Sequence, residues 1–136
     1  MGKINWGRVF LCGILTGGVW YLLSLLVFVF ALGGTDYAAA VEAAPRPKTF
    51  PALPFILYLA MGIWAMWLYA AIRARYGPGP KTAAVAGVAL WVVAVLEVSK
   101  LVAVGFFPPN LLLTPVAAAL PVIIVVAVVG AWPYKE

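Results

Sequence analysis

The chain has 136 residues, of which 66% are hydrophobic and 10% are charged. A soluble domain of this size cannot bury so much apolar side-chain area, so the composition excludes an ordinary water-soluble protein. The net charge is +5, but the basic residues lie at the ends of apolar runs, which indicates membrane orientation and not nucleic-acid binding. There is no histidine and one cysteine, Cys12, which excludes imidazole-bound haem, copper or zinc and an intrachain disulfide.

The first apolar run covers residues 9–32 and predicts a transmembrane helix. At 1.5 Å per residue it is about 36 Å long, which is enough to cross a hydrocarbon core of roughly 30 Å. Lys3 and Arg8 precede it as in a signal peptide. However, the run is longer than a signal-peptide core of about 7–15 residues, so we expect a membrane span.

Residues 33–53 form the longest connection and are rich in proline and charged residues. Thr35 or Asp36 is a suitable N-terminal cap for a short helix through the alanines to Ala44. Pro45 would end that helix, because proline cannot continue the helical hydrogen-bond pattern. This connection is the only one long enough to contain a structural feature that contacts a partner protein.

Three further apolar runs predict spans over residues 54–72, 82–107 and 111–131. The Gly-Pro-Gly-Pro sequence of residues 77–80 makes a stiff turn between the second and third spans. Pro108 and Pro109 separate the third span from the fourth. The predicted fold is all-α, a single domain over residues 1–136 with four transmembrane helices in an antiparallel bundle.

The basic residues beside the spans predict the orientation of the bundle. With a cytoplasmic N-terminus, two of them, Arg46 and Lys48, lie outside. Six lie inside, namely Lys3, Arg8, Arg73, Arg75, Lys81 and Lys135. Both ends of the chain and the turn at residues 77–80 are therefore expected on the cytoplasmic side, with residues 33–53 outside.

Glu97 and Lys100 lie within the predicted third span, three residues apart. This spacing puts both side chains on one helical face, where they can form an ion pair. Lys100 can extend its ammonium group toward the outer interface. Because charge in lipid is costly, we expect a neighbouring helix or subunit to cover the pair. Two interpretations of the pair remain possible from the sequence: a structural ion pair, and a proton or cation site.

Gly13 and Gly17 lie four residues apart in the first span. Small residues at this spacing let two helix backbones approach closely. Ser24 falls on the same side of the helix, seven residues after Gly17. The sequence does not determine whether this helix-packing surface contacts another helix of the bundle or another chain.

Met61, Trp64 and Trp67 share one face of the second span. They are candidates to contact a lipid, a quinone or a pigment. Core packing or lipid-facing packing is the alternative, since such a ligand usually needs a polar anchor as well.

No catalytic set is recognisable, and we predict that the protein is not an enzyme and holds no cofactor or metal. There is no serine or cysteine with a plausible nearby base and no pair of carboxylates within one span. The prolines of residues 77–80 remove N–H groups that a phosphate-binding loop would use. Arg73, Arg75 and Lys81 instead form a cytoplasmic basic cluster, which is expected to set the topology and contact anionic lipid.

Two stretches are distinctive, residues 4–9 (INWGRV) and residues 67–82 (WLYAAIRARYGPGPKT). They resemble a group of short, uncharacterised bacterial four-span membrane proteins. The resemblance implies a multi-pass protein of the bacterial inner membrane and implies no activity. Small multidrug exporters are similar in size, but their essential carboxylate lies in the first span, where this chain has no charge.

The sequence favours an accessory or structural subunit of a larger membrane complex, for example a bioenergetic one. It offers no catalytic or cofactor-binding set and leaves almost no segment outside the bilayer. The expected partners are the lipid bilayer and other membrane subunits, without nucleic acid. Two alternatives are a homo-oligomeric small transporter of the multidrug-exporter size class and a lipid- or pigment-associated membrane protein.

Overall fold

The computed structural model describes residues 4–46, 48 and 50–134, and within these it contains helices and no strand. The helices are α1 (Trp6–Phe30), α2 (Asp36–Ala43), α3 (Leu53–Tyr76), α4 (Pro80–Ala103) and α5 (Pro109–Ala131). The predicted all-α fold is confirmed.

Helices α1, α3, α4 and α5 are long and apolar enough to cross a membrane. They contain 25, 24, 24 and 23 residues, so each is about 35 Å long against a hydrocarbon core of roughly 30 Å. Their outward-facing side chains are mostly large and apolar. The protein is therefore a multi-pass membrane protein with four spans.

The short helix expected in the long connection is present as α2, and local hydrogen bonds explain its start. The Thr35 hydroxyl accepts a hydrogen bond from the backbone N–H of Ala38 at 3.3 Å, as an N-terminal cap does. The helix ends at Ala43, with Ala44 as its C-terminal cap. Of the two cap candidates in the sequence, Thr35 has this role.

Helix α4 ends at Ala103, four residues before the predicted boundary at Phe107. The cause is Gly105, whose φ of +87° suits glycine because it has no Cβ. The N–H of Gly105 donates to the Val102 carbonyl at 2.9 Å, and the N–H of Phe106 donates to the Leu101 carbonyl at 3.0 Å. This Schellman pattern ends the helix before the two prolines are reached.

The core is concentrated at one end of the bundle, here called the turn end because it contains residues 77–80. Buried residues of α4 all lie in its first half, and those of α5 all lie in its second half. At the opposite end, here called the α2 end, Trp20, Leu32 and Ala38 are the buried side chains among the described residues beyond the helix midpoints. The bundle thus buries more side chains at the turn end than at the α2 end.

Three glycines bring α1 and α3 into backbone contact. A Cβ added to Gly13 would lie 2.5 Å from the Ile63 Cα, and one added to Gly17 would lie 2.5 Å from the Leu59 Cα. From the other side, a Cβ on Gly62 would lie 2.6 Å from the Gly17 Cα. The small-residue spacing of α1 therefore packs α1 against α3 within this chain, and contact with another chain stays a prediction.

Helices α4 and α5 are joined by a hydrogen bond near a proline. Pro121 has no N–H, so the carbonyl four residues earlier, that of Ala117, lacks its helical donor. At the preceding residue, the Val116 carbonyl accepts a hydrogen bond from the Trp91 indole N–H at 2.9 Å. This bond holds the middle of α4 against the less densely packed half of α5.

Candidate functional site

Glu97 and Lys100 form the predicted ion pair. The Lys100 Nζ lies 2.7 Å from one Glu97 carboxylate oxygen and 2.9 Å from the other. The Glu97 side chain is 64% exposed and the Lys100 side chain is 66% exposed, so no described helix of this chain covers them. The expected cover by a neighbouring helix of the chain is therefore wrong, and cover by another subunit stays a prediction.

The depth of the pair matters because charge is costly in hydrocarbon. Along α4, Glu97 lies about 8 Å and Lys100 about 13 Å from the helix midpoint, on the side of the α2 end. Half of a hydrocarbon core is about 15 Å. With α4 centred in the bilayer, the Glu97 backbone lies inside the hydrocarbon and Lys100 lies near its edge.

The half of α4 nearer the α2 end forms one continuous surface around the pair. All buried residues of this helix lie between Thr82 and Gly87. Val93 and Leu96 are 59% and 61% exposed and share the helical stripe of Glu97 and Lys100. We call these four residues the α4 ion-pair face. It is an apolar surface with one charged pair that no helix of the described chain covers.

A cavity of about 350 Å³ lies at the α2 end, between α1, α3 and α5 and beside α2. We call it the α2-end cavity. Its lining is mostly apolar, with four hydroxyl-bearing side chains contributed by α1, α2 and α3. These are Tyr21, Ser24, Tyr37 and Tyr58. Polar groups from three helices thus converge on one apolar space, as in small-molecule binding sites.

Edge-to-face contacts hold the aromatic walls of this cavity in place. The rings of Tyr21 and Tyr58 have centroids 5.5 Å apart at 70°. Trp20 contacts Tyr58 in the same manner at 6.3 Å, and Phe28 contacts Tyr37 at 6.4 Å. Such geometry favours the ring quadrupoles and restricts ring rotation. The cavity is therefore largely preformed.

The four hydroxyl groups of the cavity have no hydrogen-bond partner within residues 4–46, 48 and 50–134. Thr16, deeper in α1, behaves differently, since its hydroxyl donates to the Cys12 carbonyl at 2.6 Å. That bond is the usual solution for a hydroxyl within a membrane helix. Ser24 makes no equivalent bond, so its hydroxyl and those of the three tyrosines remain available to a ligand.

Met61, Trp64 and Trp67 lie apart from this cavity. Met61 and Trp64 face outward, and Trp67 packs partly against the core. The two indole rings form an edge-to-face pair with centroids 5.1 Å apart at 84°. None of the three lines the α2-end cavity. Contact with a lipid, a quinone or a pigment stays a prediction for these residues.

The predicted basic cluster divides into two parts. Arg73 packs inward, with its guanidinium carbon 5.4 Å from the centroid of the Tyr134 ring in a cation–π contact. Arg75 and Lys81 are exposed at the same end of the bundle. A cavity of about 520 Å³ lies beside Arg73, and there the Tyr69 hydroxyl accepts a hydrogen bond from the Gly79 N–H at 3.3 Å.

Comparison with known proteins gives no match to a family model, to a curated protein or to a solved structure. The four-span group suggested by residues 4–9 and 67–82 accordingly stays a resemblance. Among the residues that the structure describes, no group of three or more His, Cys, Asp or Glu side chains is placed to hold a metal ion.

Among the residues that line the α2-end cavity, Ser24 is a candidate site residue in the sequence, where its spacing predicts helix packing. Tyr21, Tyr37 and Tyr58 are not predicted as site residues, and they come from three different helices. A weak signal was present, because Tyr21 lies well inside its span. Tyrosine more often marks the two membrane interfaces.

Proposed function

We propose that the protein is an accessory subunit of a larger membrane complex and that it docks through the α4 ion-pair face. The observation that carries this proposal is the exposure of the Glu97–Lys100 pair on a span-length helix. Facing lipid, the carboxylate would lie in hydrocarbon with Lys100 as its one partner. A second protein would exclude lipid and offer further hydrogen bonds to both charges.

A proton-coupled carrier agrees less well with the geometry of Glu97. A carrier needs an ionisable group that alternates between loaded and empty states. Here the carboxylate is paired with Lys100 at 2.7 Å, and it lines neither the α2-end cavity nor the cavity beside Arg73. The pair therefore fits a structural contact better than a transport site.

We further propose that the protein lies in the bacterial inner membrane with both chain ends on the cytoplasmic side. The basis is the distribution of basic residues. Arg8, Arg73, Arg75 and Lys81 lie at the turn end of the bundle, and the positive-inside rule assigns such an end to the cytoplasm. The bacterial source and the inner membrane are what the resemblance of residues 4–9 and 67–82 implies.

Site-specific photocrosslinking in intact membranes tests the docking face. A photoreactive amino acid at Leu96 is expected to crosslink to one other protein of defined mass, because Leu96 lies beside the ion pair. Leu22 on α1 is a matched control, since the two leucines are 61% and 60% exposed. Both also lie about 6–7 Å from the midpoint of their helix toward the α2 end.

Protein crosslinks from Leu96 that are absent from Leu22 would support docking through α4. Lipid adducts alone at Leu96, or the same protein adducts at both positions, would contradict it. A crosslinked homodimer from Leu96 would show that the face contacts a second copy of this chain, and would count against the accessory-subunit proposal.

A further inference from the structure

We propose that the α2-end cavity binds the ring head group of a membrane-soluble lipophile that carries hydrogen-bond-accepting oxygens, that is, a molecule of the quinone class. Three features carry this inference, namely the position of the cavity, its volume and its unpartnered hydroxyl groups. It is independent of docking through α4, because Glu97 and Lys100 do not line the cavity.

The position of the cavity selects a ligand that reaches it from the bilayer. Ser24 lies about 9 Å from the midpoint of α1, which is within the hydrocarbon region when that helix is centred. Leu25 lines the cavity and is 44% exposed, so this part of the lining is not enclosed by the bundle. The cavity therefore extends to the lipid-facing surface, and a ligand with an apolar tail can enter there and leave its tail in the bilayer.

The volume limits the part of the ligand that is enclosed. One water molecule occupies about 30 Å³ in the liquid. A cavity of about 350 Å³ therefore has room for about a dozen groups of that size, that is, about a dozen non-hydrogen atoms. One substituted six-membered ring has this size. A complete phospholipid does not fit, and a single acyl chain would fill the space without using any of the hydroxyl groups.

The hydroxyl groups select the chemistry of the ring. Tyr21, Tyr37 and Tyr58 can donate hydrogen bonds from three helices, and Ser24 adds a fourth donor. Leaving such donors unpaired in an apolar space costs free energy, so a ligand with acceptor oxygens is favoured over a pure hydrocarbon. Ring carbonyls or ring ethers satisfy this requirement, and the Trp20 and Tyr58 rings offer aromatic surface beside them.

Tryptophan fluorescence quenching tests the proposal, since Trp20 lines the cavity. The purified full chain in detergent micelles is titrated with a short-tailed benzoquinone. Quenching is expected to saturate at one quinone per chain. A benzene ring with the same tail but no oxygens should compete at least tenfold more weakly.

Two sets of variants link binding to the cavity. Ala118→Phe fills the cavity and is expected to raise the Kd at least tenfold, whereas Ala117→Phe, one residue away on an exposed position of α5, should leave it unchanged. Tyr37→Phe and Tyr58→Phe keep the ring shape and remove one donor each. Each should raise the Kd by about twofold to tenfold, as expected for the loss of one neutral hydrogen bond.

The tyrosine variants decide the outcome if Ala118→Phe does not fold, which helicity by circular dichroism would reveal. Quenching that rises in proportion to the micellar quinone concentration without saturating would overturn the proposal. So would an unchanged Kd in both tyrosine variants, an unchanged Kd in folded Ala118→Phe, or equal competition by the oxygen-free ring.

Discussion

Gly62→Val is expected to prevent the native contact between α1 and α3 and to destabilise the bundle strongly. The side chain would meet the Gly13 carbonyl and the Gly17 backbone, which are parts of a helix and have no rotamer that moves them away. Overpacking of an interior costs about 1–3 kcal/mol, and the upper end applies where the obstacle is backbone. Thermal unfolding of the purified protein in detergent measures the loss.

Gly18→Val is the matched control for this prediction. Gly18 lies next to Gly17 in α1, and a Cβ there would meet nothing within 4 Å. The substitution is the same, but the variant should unfold close to the wild-type temperature. Equal destabilisation by Gly62→Val and Gly18→Val would mean that valine in a membrane helix is the cause, and would contradict close packing of α1 on α3.

Lys100→Met is expected to have a large effect on the assembled complex and a small effect on the isolated chain. An exposed ion pair contributes about 0–1 kcal/mol, so the unfolding temperature in detergent should hardly change. Beneath a partner subunit, the same change leaves the Glu97 carboxylate buried without its partner. That loss costs about 3–5 kcal/mol and should release the chain from the complex at a lower detergent concentration.

The double variant Glu97→Gln with Lys100→Met distinguishes the loss of the ion pair from the burial of one uncompensated charge. It should hold the complex better than Lys100→Met alone, because no uncompensated charge remains. The measured quantity is the detergent concentration at which half of the chain dissociates. A double variant whose loss equals the sum of the two single losses would show that the residues are not coupled.

Much of the fold could be predicted from the sequence because the membrane imposes simple rules. Four apolar runs of span length give the four long helices, and Thr35 gives the start of α2. The ion pair of Glu97 and Lys100 follows from spacing along one helix, and it forms. Such features depend on residues close together in the chain.

The remaining features depend on how the helices pack, which local patterns do not determine. Lipid is as apolar as a protein interior, so hydrophobic periodicity does not reveal which face of a membrane helix is covered. The exposure of Glu97 and the cavity lined by Tyr21 and Tyr58 therefore could not be predicted. The end of α4 was missed because Gly105 closes the helix before Pro108, and a glycine in an apolar run is a weaker signal than a proline.

The most direct test of the accessory-subunit proposal is mild-detergent extraction, native electrophoresis and mass spectrometry of whatever migrates with the chain. Wild-type protein is expected to migrate in an assembly with at least one other membrane protein in fixed ratio. The Lys100→Met chain should be lost from that assembly band. In the double variant with Glu97→Gln, a larger share of the chain should stay in the assembly band. A single band at the mass of one protomer or a small homo-oligomer, unaffected by either variant, would contradict the proposal.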